Sequence, residues 1–217
     1  MKLNVIFDMD GVIFDTERLY IECIRPAAEK YGLTGIEEAA RACIGLTDVE
    51  TKRLMRERFG EDAPLEAIEK ESFRIFQKRY EEEGLTVKEG VTALLEYLKR
   101  AGAGIAIGSS TEHDVVETEL RDAGLLGYFD ALACGDMVAR SKPEPDVFLL
   151  AAELLGAESA DCIIIEDSFN GVKAARRAGA TVFMVPDLLE PTEEIRGLTD
   201  WVFGSLLEVR GWLETKA

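Results

Sequence analysis

The chain has 217 residues, 47% of them hydrophobic and 31% charged, with 19 glycines and 6 prolines, which is the balance of a folded protein and excludes a disordered one. Its formal charge of -17, from 25 Lys and Arg against 42 Asp and Glu, repels both the nucleic-acid backbone and anionic membrane, so neither is expected as a partner. The length suits one sizeable domain, alone or carrying a smaller insertion.

The first predicted element is a buried strand, LNVIF at 3–7. Asp8 and Asp10 cut this apolar run off, so it reads neither as a signal peptide nor as the ~18-residue span of a membrane helix. From 15 to 88 the pattern is helix after helix, at Thr16–Lys30, Asp48–Phe59 and 64–83, rich in Glu, Lys and Arg and without a convincing strand. This stretch is expected to be an inserted α-helical cap, hinged near 14–16 and 85–90. Strands and helices then alternate. The helical patterns are GVTALLEYLKRAG, TEHDVVETELRDAGL, EPDVFLLAAELLG and SFNGVKAARRAGA, each closing near a glycine fit to end a helix. The apolar runs are GIAIG at 104–108, CIIIE at 162–166, TVFMV at 181–185 and a weaker WVF at 201–203. Runs without in/out alternation suit strands covered on both faces. The expected fold is therefore α/β: a doubly wound, mostly parallel, Rossmann-like core from 1–14 and 89–217, with the helical cap at 15–88.

Two tempting readings fail. Gly102, Gly104 and Gly108 have the wrong spacing for a dinucleotide fingerprint and lead into a strand instead of following one. The four cysteines, Cys23, Cys43, Cys134 and Cys162, lie far apart and form no C-x-x-C, so reduced thiols in a cytoplasmic protein are expected. His113, the only histidine, has no serine or cysteine elbow beside it and is expected on a helix surface.

In open α/β sheets ligands bind beyond the carboxyl ends of the strands, so the residues just after each apolar run carry the interest. These are Asp8 and Asp10 after the first run, Ser109, Ser110 and Thr111 after GIAIG, and Glu166 with Asp167 at the end of CIIIE. Lys142 stands in SKPEPD, ahead of the helix before CIIIE. Two carboxylates ~4 Å apart repel by ~4 kcal/mol at an effective dielectric near 20, so four of them converging need a counter-charge. Oxygen donors point to a hard cation, and Mg²⁺ is the natural one because it also binds phosphate oxygens. Mg²⁺, Lys142 and the Ser109 hydroxyl would together hold an anionic phosphoryl group that the overall charge disfavours. Asp8 then suits a nucleophile that forms an aspartyl-phosphate, and Asp10 an acid/base that protonates the leaving alkoxide and later deprotonates water. Gly11 lets the chain turn sharply at the strand end. Thr111 is read as the N-cap of the helix that follows.

These residues resemble the motifs of the haloacid dehalogenase superfamily of phosphohydrolases. DMDGVIFDT resembles its first motif, IGSST its second, SKPEPD its third and IIIEDSFNGVKAARRAG its fourth. A helical cap just after the first motif resembles the beta-phosphoglucomutase-like and phosphoglycolate-phosphatase-like branch. The resemblance implies catalysis by Asp8 and Asp10, phosphate binding by Ser109, Ser110 and Lys142, and Mg²⁺ held on the side of Asp8, Asp10, Glu166 and Asp167. Glu166 is left open between direct ligation and support of a ligand. DTERLY departs from the mutase pattern by placing Tyr20 where those enzymes carry a histidine, and IGLTDVE offers Asp48 where an arginine is expected. Both favour hydrolysis. The expected activity is a Mg²⁺-dependent phosphatase, acting as a monomer on small phosphorylated metabolites, sugar phosphates above all. A phosphomutase is the alternative, and an aspartate-phosphorylated receiver, without a cap, is the alternative of another class. Arg18, Arg53, Arg74 and Lys78 are the cap's candidate substrate contacts, with no choice made among them.

Overall fold

The computed structural model describes residues 2–44 and 48–216, with Asp48 and Val49 given by backbone alone. The chain forms two compact units, one of Met1–Phe14 with Thr86–Ala217 and one of Asp15–Leu85.

The Asp15–Leu85 unit is helical, with α1 (Thr16–Lys30), α2 (Ile36–Cys43), α3 (Asp48–Phe59) and α4 (Leu65–Glu83). Ile24, Ala27 and Ala28 of α1 pack with Ile36 and Ala40 of α2 and Ile68 of α4 in a small core of its own. The sequence pattern missed α2, which is short, opens after Gly35 in the left-handed region and buries mainly small residues, Ala39 and Ala40. Each of the four candidate basic residues is taken up by an acid: Arg18 by Asp15 at 3.1 Å, Arg53 by Glu57 at 2.7 Å, Arg74 by Glu71 at 2.8 Å and Lys78 by Glu82 at 3.7 Å. The Asp48 side chain, weighed above against a mutase arginine, lies outside the described residues.

The other unit is built on one sheet of β1 (Asn4–Phe7), β2 (Gly104–Gly108), β3 (Ala131–Ala133), β4 (Cys162–Glu166), β5 (Thr181–Met184) and β6 (Trp201–Val202). The order is β3-β2-β1-β4-β5-β6 and every pairing is parallel. Its helices are α5 (Val91–Arg100), α6 (His113–Asp122), α7 (Asp146–Leu154), α8 (Phe169–Arg177), the single-turn α9 (Glu193–Arg196) and α10 (Leu206–Glu214). On one face Ile6, Ala106 and Ile164 pack against Phe148 and Ala151 of α7 and Val172 of α8. On the other, Phe183 meets the rings of Trp201, Phe203 and Trp212. Burial from both sides explains why the strands read as unbroken apolar runs, and the doubly wound parallel fold expected from them is borne out. The glycines that close α5 to α8, namely Gly102, Gly124, Gly156 and Gly179, all take positive φ. No described helix is long and apolar enough to cross a membrane.

Register sets the stage for chemistry. Phe7 pairs with Ile107 and with Ile165, so β1, β2 and β4 end abreast and the residues that follow emerge side by side. After Leu85 the chain rejoins this unit at Thr86, ahead of the 88/89 join read from the sequence, because Val87 bridges Phe14 and the Lys88 N–H donates to the Ile13 carbonyl at 2.9 Å.

Candidate active site

Asp8 follows β1 directly, its N–H donating to the Ile165 carbonyl at 2.9 Å, and its side chain is buried. Glu166 closes β4 with no exposure, and Asp167 follows it, also buried. Carboxylate oxygens of Asp8, Glu166 and Asp167 lie within 4.8 Å of one another. Lys142 reaches into this group from the loop before α7: its Nζ donates to Asp8 Oδ1 at 2.5 Å and to Glu166 Oε1 at 2.8 Å, and lies 4.6 Å from the centre of the Phe148 ring. The lysine side chain is only 8% exposed, so it is not a solvated surface residue.

Lys142 is one cation among several acids. Burial first, with Glu166 and Asp10 adding to it, pushes the Asp8 carboxyl up to about 8 against the pull of Lys142. Burial also works against the Lys142 ammonium, but Asp8 and Glu166 outweigh it and hold its pKa above the ordinary lysine value. The ammonium is thus held in its charged form, and the upward shift of Asp8 reflects a crowding of acids that a further cation would relieve.

Asp10 stands on the turn after β1, and its carboxyl accepts from the Thr111 hydroxyl at 2.9 Å. This corrects the reading of Thr111 as a helix cap. The N-cap of α6 is Glu112, which makes no capping bond with its side chain, and the His113 N–H donates instead to Asp136 Oδ1 at 2.9 Å. Ser109 is buried after β2, and its Oγ accepts from the Thr111 N–H at 3.0 Å, leaving the O–H proton to donate elsewhere. Ser110 is exposed beside it. His113 is half-buried at the start of α6, 3.6 Å from Asp114.

Two glycines make room for these acids. Gly11 has φ +80, and a Cβ there would lie 2.2 Å from Asp167 Oδ2. A Cβ on Gly171, in the first turn of α8, would lie 1.5 Å from Glu166 Oε1. Sequence reasoning passed over Gly171 and over Ser168, which caps α8 by accepting from the Gly171 N–H at 3.0 Å. Ser168 also donates to Glu166 Oε2 from its N–H at 2.7 Å and its Oγ at 3.0 Å. The spacing E-D-S-x-x-G was the available signal: a serine N-cap three residues ahead of a helical glycine.

The three converging carboxylates suit a hard divalent ion. Their donors are all oxygen, and a buried group of converging carboxyls is what such an ion would bind. Glu166 already accepts three hydrogen bonds from Lys142 and Ser168. The Asp10 carboxyl, which accepts from Thr111, is not one of these three.

Polar residues gathered past the carboxyl ends of a parallel sheet, with a buried lysine among them, stand where a doubly wound α/β enzyme carries its ligand site. Residues 5–185 match the haloacid dehalogenase-like hydrolase family, and the chain belongs to that family, as its four motifs implied. It is similar to a phosphorylated carbohydrates phosphatase of Thermotoga maritima, 39% identical over 183 residues that make up 81% of each chain. It is also similar to a fructose-1-phosphate phosphatase of Escherichia coli, 31% identical over 81% of this chain and 92% of that one. Among solved structures, CbbY from Rhodobacter sphaeroides in complex with phosphate is 28% identical over 96% of each chain, with a TM-score of 0.76.

Proposed function

We propose that the protein is a Mg²⁺-dependent phosphatase that hydrolyses small phosphorylated metabolites, sugar monophosphates first among them, through an aspartyl-phosphate on Asp8. The observation that carries this reading is the buried Lys142 ammonium bound to both Asp8 and Glu166, with Asp167 beside them. Relatives named for phosphorylated carbohydrates and for fructose 1-phosphate support the substrate class.

Asp8 attacks phosphorus as the ester P–O bond breaks, and Asp10 gives its proton to the departing alkoxide. A water then attacks the aspartyl-phosphate, Asp10 takes a proton from it, and Asp8 and inorganic phosphate are released. Lys142 and the Ser109 O–H hold phosphoryl oxygens during both displacements, with Ser110 at the rim of the same pocket. Asp8 and Asp167 would hold Mg²⁺, with Glu166 fixed alongside them by Lys142 and Ser168, and the ion would neutralise charge on the transferred group. The Thr111 hydroxyl keeps Asp10 oriented toward its proton transfers. The helical Asp15–Leu85 unit is in this reading the cap domain, and the protein works as a monomer.

Phosphate release from a panel of sugar phosphates, with Mg²⁺ and with chelator, tests the proposal. Release from at least one member that requires the metal is expected. No release from any member, by protein with a native circular-dichroism spectrum, would contradict it.

A further inference from the structure

A partly buried ion pair stands at the same end of the sheet, outside the acid cluster. Lys88 Nζ lies 2.5 Å from Asp187 Oδ1, with the side chains 20% and 6% exposed. Asp187 Oδ2 is buried without a hydrogen-bond partner. Such a pair is a poor device for stability, because desolvation offsets the attraction and half of the carboxylate goes unsatisfied; apolar residues of similar volume are often as good or better. Its value lies in what it connects.

Lys88 is tied through its backbone to the turn that carries Asp10. The Lys88 N–H donates to the Ile13 carbonyl at 2.9 Å, and its neighbour Val87 bridges Phe14. The turn closes on itself through Gly11 N–H to the Phe14 carbonyl at 2.9 Å and Ile13 N–H to the Met9 carbonyl at 2.8 Å. Asp187 lies just past β5, in the segment whose Val185 N–H donates to the Glu166 carbonyl at 2.8 Å. The ion pair therefore links the turn bearing Asp10 to the segment bonded to the end of β4, two walls of the acid cluster that share no strand pairing.

We propose that Lys88 and Asp187 are positioning residues: their ion pair braces the 9–14 turn against the end of β5 and so fixes Asp10 relative to Asp8 and the substrate's leaving oxygen. The inference rests on the reading of Asp10 as the acid/base. Neither side chain touches the reacting groups. The brace acts on the proton-transfer geometry, where a misplacement of about 1 Å costs on the order of 100-fold in rate.

The test compares wild type, Lys88→Met, the double variant Lys88→Met/Asp187→Leu, and Asp187→Asn, on a sugar phosphate that the wild type hydrolyses. Lys88→Met alone is expected to lower the Tm by leaving Asp187 buried and unpaired, and the double variant to recover it. kcat of the recovered double variant is expected to stay down by roughly 10- to 100-fold, with KM changed less than about twofold. A double variant with both Tm and kcat at the wild-type level would overturn the proposal and make the pair a structural contact only. Asp187→Asn keeps the shape and decides the matter if the double variant does not fold. Hydrogen exchange at the Gly11 and Lys88 amides is expected to quicken about tenfold in it, while the amides of β2 and β4 keep their rates; unchanged exchange at Gly11 and Lys88 overturns the brace. A wild type that hydrolyses no phosphate ester defeats the proposed function instead, and is read in the same assay.

Discussion

Gly171→Ala adds a single methyl group at a residue with no side chain of its own to touch substrate, yet its effect on the site is calculable. The new Cβ would sit 1.5 Å from Glu166 Oε1 and 1.8 Å from Glu166 Cδ, so either α8 retreats by more than an ångström or the glutamate leaves its place. Glu166 has no exposure and accepts from Lys142 Nζ at 2.8 Å, Ser168 N–H at 2.7 Å and Ser168 Oγ at 3.0 Å. Displacing it breaks a buried ion pair, which costs about 3–5 kcal/mol. The better helix propensity of alanine returns about 1 kcal/mol. A net destabilisation of about 2–4 kcal/mol is expected, read as a lower urea midpoint. Turnover should fall by at least about 100-fold, because Lys142 loses one of its two anchors and is no longer held where it meets the phosphoryl group. Gly171→Ala protein with stability within about 1 kcal/mol of wild type and turnover barely changed would refute the claim that Gly171 is glycine for the sake of Glu166.

Thr111→Val removes the donor to Asp10 and should lower kcat by about tenfold, the worth of one hydrogen bond to a charged group, while Thr111→Ser retains most of it; steady-state kinetics on a sugar phosphate separates the two. Burial first, then Asp10 and Asp122, raise the Glu119 carboxyl from 4.5 to about 7. In that window the folded state holds a proton that the unfolded state has released, so this group's contribution to stability is lost as pH rises toward 7. Glu119→Gln should therefore match the wild type in denaturation near pH 4 and exceed it near pH 8; equal differences at both would show that Glu119 titrates normally. Chelation should abolish turnover and Mg²⁺ restore it. Asp167→Asn should raise the Mg²⁺ concentration needed for half-maximal rate, and an unchanged Mg²⁺ dependence would remove Asp167 from the metal side.

The sheet was legible wherever burial on both faces forced an unbroken apolar run, as at GIAIG and CIIIE. The strand β3 was not, because Ala131–Ala133 is three residues long at a sheet edge, half-exposed at two of them, with a single large apolar residue, Leu132, between two alanines. Likewise α2 carries too few large apolar residues to announce a helix. Asp8, Ser109, Lys142, Glu166 and Asp167 were readable one by one because each follows a strand or opens a stiff loop, and the register of β1, β2 and β4 brings their ends together. What eluded the sequence were partnerships set by tertiary geometry. Thr111 serves Asp10 instead of its own helix, and a carboxylate from Asp136 takes the amide that Thr111 was expected to cap. Nothing local announces the pairing of Lys88 with Asp187, 99 positions apart.

The most direct measurement is to quench the enzyme rapidly during turnover of a good sugar phosphate, digest it, and locate any added phosphoryl group by tandem mass spectrometry. The phosphoryl group is expected on Asp8, appearing within the first turnover, decaying as substrate runs out, and absent from Asp8→Asn, which keeps its fold and loses turnover. Undiminished hydrolysis by Asp8→Asn, or steady turnover with Asp8 never modified, would contradict covalent catalysis at this carboxylate.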